Sequence, residues 1–172
     1  MISEFVKGRV AVFIDSANLY FCCKELGWKV DYKKLLFYFK SNSELASIAF
    51  YGALNPDNHA ERKFQDFLEI IGYTVKCKKI KFIKDKNDTE FGGHHKGNVD
   101  VDLTIDAVYN RDEYDTFILF SGDSDFGSLL TFLKRFHKRC IVVSTKGHVS
   151  IELIRLAKFI DLKKIRNDIE LK

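Results

Sequence analysis

Arg9-Val10-Ala11-Val12-Phe13-Ile14-Asp15-Ser16-Ala17-Asn18 is the stretch on which the fold turns. Its first six residues are dominated by β-branched and apolar side chains without polar alternation, the mark of a strand covered on both faces. Similar runs recur at residues 45–51, 73–80, 116–120 and 140–144, and helix-period stretches at 32–39, 57–71, 99–109, 125–136 and 150–159 lie between or after them. In the second of these helices Phe64, Phe67, Leu68 and Ile71 form one apolar stripe, and Gly72 follows as its stop. Strand and helix alternate along the chain, which predicts an α/β fold with a mainly parallel sheet. In such a sheet ligands bind beyond the carboxyl ends of the strands, where strand order reverses. The residues just after each strand therefore carry the chemistry.

Composition bounds the rest. The chain has 172 residues, 46% of them hydrophobic and 30% charged, with sixteen Phe, seven Tyr and a single Pro. This predicts one globular domain over residues 1–172 and excludes disordered and collagen-like classes. The apolar runs fall far short of the roughly 20 residues of a spanning helix, and the start, MISEFVKGRV, has no signal-peptide core. Cys22, Cys23, Cys77 and Cys140 form no CxxC pair and read as reduced, half-buried thiols of a cytoplasmic protein. A net charge of +4 is mildly basic, so the distribution of charge matters more than its sum. The stretch 84–98, KDKNDTEFGGHHKGN, reads as a mobile functional loop.

The strand ends deliver acids. Strand one runs into Asp15, and strand four into Ser121-Gly122-Asp123-Ser124-Asp125-Phe126. An Asp at a strand-to-helix junction is often only an N-cap, which would suffice for Asp15 alone. In the second segment one cap is needed but two carboxylates are present. Asp125 is expected to cap the helix that follows, which leaves Asp123 without a structural duty. A third group comprises Asp100, Asp102 and Asp106. Asp102 and Asp106 share a helix face at i, i+4, where like charges repel unless water or a cation separates them. Asp102 reads as facing solvent and Asp106 as facing the acidic centre. Clustered carboxylates with no His or Cys close by favour Mg²⁺ or Mn²⁺ over zinc. Displacement at phosphorus by a metal-activated water is the chemistry that uses such a cage. Asn18, Ser121 and Ser124 could orient phosphate or water there, or serve only their local turns.

The segments Phe13 to Asn18, Lys96-Gly97 to Asp100 followed by Asp106, and Ser121 to Phe126 resemble the three motifs of NYN domains. These are LabA-like members of the PIN-like nuclease superfamily. The resemblance implies a three-layer α/β/α sandwich and a metal-dependent ribonuclease site that leaves a 5′-phosphate. It further implies that Asp15, Asp100, Asp123 and Asp125 hold the metal, with Asn18 as polar support and Asp106 as a fifth acid. The chain departs from the family pattern at Asn98, an extra residue in KGNVD, and at Lys158, where an acid is common.

Lys76, Lys78, Lys79, Lys81, Lys84 and Lys86 lead into His94-His95-Lys96, just before Asp100. Edge-strand lysines can be a defence against aggregation, but this run reads as a phosphate-contacting path for single-stranded RNA, with Lys81, Lys84, Lys86, His94, His95 and Lys96 as its contacts. Lys134, Arg135, Lys138 and Arg139 read as a solvated helix end. Phe91, Trp28 and Tyr20 are candidate base-stacking groups, Trp28 being also a natural core residue. The sequence thus points to a Mg²⁺- or Mn²⁺-dependent endoribonuclease. A catalytically silent RNA-binding or protein-interaction module on the same fold is the alternative. A haloacid-dehalogenase-type phosphatase is disfavoured by Ala17, where that chemistry needs a second Asp.

Overall fold

Strand β1 (Arg9–Asp15) lies near the middle of a six-stranded sheet. It pairs in parallel with β2 (Glu44–Leu54) on one side and β6 (Thr116–Phe120) on the other. β3 (Thr74–Lys79) continues outward from β2, and β7 (Arg139–Ser144) and β8 (Lys158–Asp161) continue from β6, all parallel. The order is β3-β2-β1-β6-β7-β8. The chain thus builds outward from β1 in one direction, then returns to β6 and builds in the other. The reversal falls between β1 and β6. The structure, a computed structural model, describes residues 2–54, 58–79, 81–84, 93–96 and 99–172, and of 54, 79, 81–84 and 93–96 the backbone only.

Alternate residues of β1 enter different cores, as the pleat requires. Val10, Val12 and Ile14 pack with α1 (Ser16–Leu26), α2 (Tyr32–Asn42) and α3 (His59–Ile71). Ala11 and Phe13 pack with α4 (Asp100–Tyr109), α5 (Gly127–Arg135) and α6 (Ile151–Leu156). Helices thus cover both faces, giving the expected three-layer α/β/α architecture. The short C-terminal α7 (Arg166–Ile169) closes the first layer through Ile169. In α3, Leu68 is fully buried, and Gly72 ends the helix with a left-handed φ of 110°.

Several elements differ from the expectation. The helix expected over 150–159 stops at Leu156, and Phe159 and Ile160 pair with Val142 and Val143 as β8. Sheet pairing and burial override a helical period that continues past its true end. Helix α1 is started by Asp15 and closed by Gly27, whose φ is 73°. Within 84–98, expected as a loop, residues 93–96 form β5 (Gly93–Lys96), antiparallel to β4 (Lys81–Lys84). Lys86, Phe91 and Asn98 lie outside the described residues. All four cysteines are free thiols, with Cys22, Cys23 and Cys140 buried. Among the described residues no helix is long and apolar enough to cross a membrane.

Leu133, in the last turn of α5, is fully buried in the second core. Leu133→Ala should cost about 2–5 kcal/mol by urea denaturation, with an unchanged m-value if the fold is kept.

Candidate active site at the carboxyl edge of the sheet

Because Ile14 and Phe120 are register partners, the residues that follow them leave the sheet side by side. The Ser121 side chain is fully buried between the two exits. Its hydroxyl donates to Asp15 Oδ2 at 3.0 Å and accepts the Asp123 N–H at 3.2 Å. The other oxygen of Asp15 accepts the N–H groups of Ala17 and Asn18, at 3.1 and 3.2 Å. Asp15 is therefore an N-cap, as its position suggested, and its second oxygen is held by Ser121 as well. It is only 7% exposed. Burial, aided by the negative charge of Asp123, pushes its carboxyl above the usual range despite these hydrogen bonds.

The expected division of labour between Asp123 and Asp125 is reversed. Asp123 Oδ1 accepts the Asp125 N–H at 3.0 Å and caps the 3-10 turn Ser124–Phe126. Asp125 is exposed, and α5 begins without a side-chain cap. The doublet reads as two acids because the cap precedes a short 3-10 turn rather than the α-helix itself. Gly122 is required between them: a Cβ there would collide with the carbonyl oxygen of His148. Its own carbonyl accepts the Ser150 N–H at 2.9 Å, so the β7–α6 loop is pinned onto the turn. The His148 ring pairs in turn with Glu25 of α1.

The NYN domain family model matches residues 9–163. The chain belongs to the NYN domain family. It is 33% identical to the Low amplitude and bright protein LabA of Synechococcus elongatus, over 96% of this chain and 90% of that protein. A crystal structure of a Vibrio parahaemolyticus protein of unknown function superposes with a TM-score of 0.76 at 27% identity, covering 96% of this chain and 97% of that one.

In this NYN domain the third acidic segment divides. Asp100 opens α4 and is partly buried. Asp106, expected to face the acidic centre, instead turns to the outer strands. Tyr51 OH donates to its Oδ2 at 2.7 Å, and Lys76 Nζ lies 2.7 Å from each of its oxygens. Burial, with Asp106 next, raises the Tyr51 phenol, so it stays a donor. One turn earlier Asp102 pairs with Lys78 at 2.8 Å. Successive pairs climb β3 as they descend α4, so α4 runs antiparallel to the strands and Asp100 lies at their carboxyl edge. The sequence periods place Lys76 and Lys78 on one strand face and Asp102 and Asp106 on one helix face, but not the two faces against each other.

Asn18 is held from β7, a contact the sequence did not announce. Its Oδ1 accepts from Ser144 Oγ at 3.5 Å and from Cys22 Sγ at 3.6 Å. The carbonyl end of the amide thus turns inward. Ser124 is exposed beside Asp123. Of the expected phosphate contacts, Lys81, Lys84, His94, His95 and Lys96 are placed by backbone only, on the β4–β5 hairpin that joins β3 to α4. Trp28 is 6% exposed and belongs to the core, whereas Tyr20 is exposed on α1. Lys158 opens β8, and its ammonium lies 4.5 Å from the Phe5 ring.

The donor chemistry of the edge fits a hard divalent cation: oxygen ligands only, with a buried carboxylate whose charge is opposed by burial and by a second acid. Among the described residues no three Asp, Glu, His or Cys side chains converge closely enough to hold an ion as they stand. The fit therefore rests on the Asp15 and Asp123 pair, with Asp100 and Asp125 at its margin.

The raised carboxyl of Asp15 has a definite sign in stability. Its native form binds a proton more readily than the unfolded chain, so stability falls as pH rises from the ordinary carboxyl value through the raised one. Asp15→Asn should flatten that segment of the pH–stability curve and leave the metal-free protein more stable at neutral pH. Urea titrations between pH 4 and pH 8, at about one-unit intervals, measure it.

Proposed function

We propose that this NYN domain, spanning residues 1–172, is a metal-dependent endoribonuclease. The observation that carries the reading is the pairing of Asp15 and Asp123 through the buried Ser121 hydroxyl, at the point where strand order reverses. Asp15, Asp123, Asp125 and Asp100 would hold a Mg²⁺ or Mn²⁺ ion. When bound, that ion neutralises charge on the phosphate oxygens and makes a water a better nucleophile.

The chain's own groups supply orientation. Ser121 holds one oxygen of Asp15 and the backbone of Asp123, and so ties the segments that carry the two carboxylates. With the carbonyl of Asn18 turned toward Ser144, its amide N–H₂ is the end left to donate to a phosphate oxygen. Ser124 offers a hydroxyl beside Asp123 for the same purpose. Asp106, held by Tyr51 and Lys76, acts as an anchor for α4 and thereby for Asp100. The hairpin residues Lys81, Lys84, Lys86, His94, His95 and Lys96 precede α4 in the chain and would meet RNA phosphates.

A second reading has its own support. Neutralisation of Asp102 and Asp106 by Lys78 and Lys76 removes two acids from the centre, as suits a module that binds RNA without cutting it.

One experiment separates the two. Purified protein is expected to cleave a labelled single-stranded RNA with Mg²⁺ or Mn²⁺ and to stop on addition of EDTA. Asp123→Asn should reduce the rate by roughly a hundredfold or more, since even outer partners of a metal site are commonly worth 10–100-fold. Mn²⁺ should raise the melting temperature of the parental protein and not of the variant. Binding without cleavage in either metal would establish the silent module instead.

A further inference from the structure

We propose that the groove between α5 and α6 is the track along which single-stranded RNA leaves the acidic edge. This inference rests on the nucleic-acid reading above, and it names a surface that lies apart from the β4–β5 lysines. The groove holds about 640 Å³ and is bounded by Ser124, Ser128, Phe132 and Arg135 on one side and by Glu152, Arg155 and Leu156 on the other, two arginines against one carboxylate. Ser124 stands between Asp123 and Asp125, so the groove opens directly onto the site.

Helical spacing aligns the first wall. Ser124, Ser128 and Phe132 recur at intervals of four, and Gly127 and Arg135 lie eight residues apart on the same face, about 12 Å along the axis. At the floor, Gly127 faces Leu156, and a Cβ there would only just touch the Leu156 methyl, at 3.6 Å. Arg135 and Arg155 are both exposed, and among the described residues neither forms an ion pair. Two uncommitted guanidinium groups facing one groove are suited to phosphate, which they can bind in bidentate fashion.

The other basic residues of this region do not share that freedom. Lys138 donates to the Tyr114 carbonyl at 2.8 Å, and Arg139 to the Phe5 carbonyl at 3.1 Å. The reading of Lys134, Arg135, Lys138 and Arg139 as one solvated helix end is thus replaced: two of the four are structural, and Arg135 faces the groove.

An aromatic column continues from the groove. The rings of Phe132 and Phe136 lie 4.7 Å apart, and the Arg111 guanidinium sits 5.0 Å from the Phe136 ring. Phe136 is 44% exposed, so part of its ring stays open to solvent next to Phe132 of the groove wall. Aromatic rings and guanidinium groups hold unpaired bases whatever their sequence, because every base has a π-face. Phosphates on Arg135 and Arg155, with bases against Phe136, describe a single strand and not a duplex.

The test is binding, read apart from cleavage. A fluorescein-labelled oligouridylate is titrated with the full chain in calcium buffer over a series of salt concentrations, using anisotropy. Arg135→Gln with Arg155→Gln should weaken binding and lower the salt slope by about 1.4, two contacts at about 0.7 each. Phe136→Ala should weaken binding about fivefold or more while leaving the slope unchanged. A control with the same charge loss on the other layer, Lys40→Gln with Lys63→Gln, should retain parental affinity. Melting curves confirm that each variant folds.

Parental affinity and slope in the double arginine variant would overturn the groove, as would an equal loss in the control, or no binding by the parental protein. If the parental protein binds by this pattern but cuts no RNA, the groove stands and the nuclease reading fails.

Discussion

Two carboxylates brought to one corner of the sheet repel each other, and in this chain a single buried hydroxyl ties together the segments that carry them. Ser121 donates to Asp15 and accepts from the backbone of Asp123, so the end of β1 and the turn after β6 are fixed to one another. Much of the surrounding structure serves that junction. Asp15 also begins α1, which ties the direction of the helix to the position of the carboxylate. Gly122 admits the carbonyl of His148 where any side chain would collide, and the β7–α6 loop thereby clamps the turn from above. The same burial that gives Asp15 a fixed pose makes its negative charge costly, a cost that a bound cation would offset.

The acids of this protein are not one population. Asp102 and Asp106 lie at helical spacing on α4, yet their charges are met by Lys78 and Lys76 from the outermost strand. These ion pairs dock α4 against the sheet edge, and they occupy lysines that would otherwise line an open β-edge. Asp15 and Asp123 have no such cationic partner among the described residues. An edge with unneutralised acids at the strand reversal, beside a groove with unneutralised arginines, separates charge by function. Cations are expected at the first and phosphates at the second. Helix α5 connects them, since its first residues follow Asp125 and its last is Arg135.

The layered α/β order and the acids at the strand ends were determined by local sequence, because a strand buried on both faces must be apolar throughout and its first polar residue marks where it leaves the sheet. Arg9 to Ile14 followed by Asp15, and Thr116 to Phe120 followed by Ser121, therefore declared both the sheet and its acidic edge. Local sequence could not show which cations meet which acids. That Asp106 faces Lys76, that Ser144 holds Asn18, and that Arg135 stands free while Arg139 does not, all follow from contacts between residues far apart in the chain. Only the packed tertiary structure decides them, because an ion pair or hydrogen bond depends on a few ångströms of separation that helical and strand periods leave undetermined.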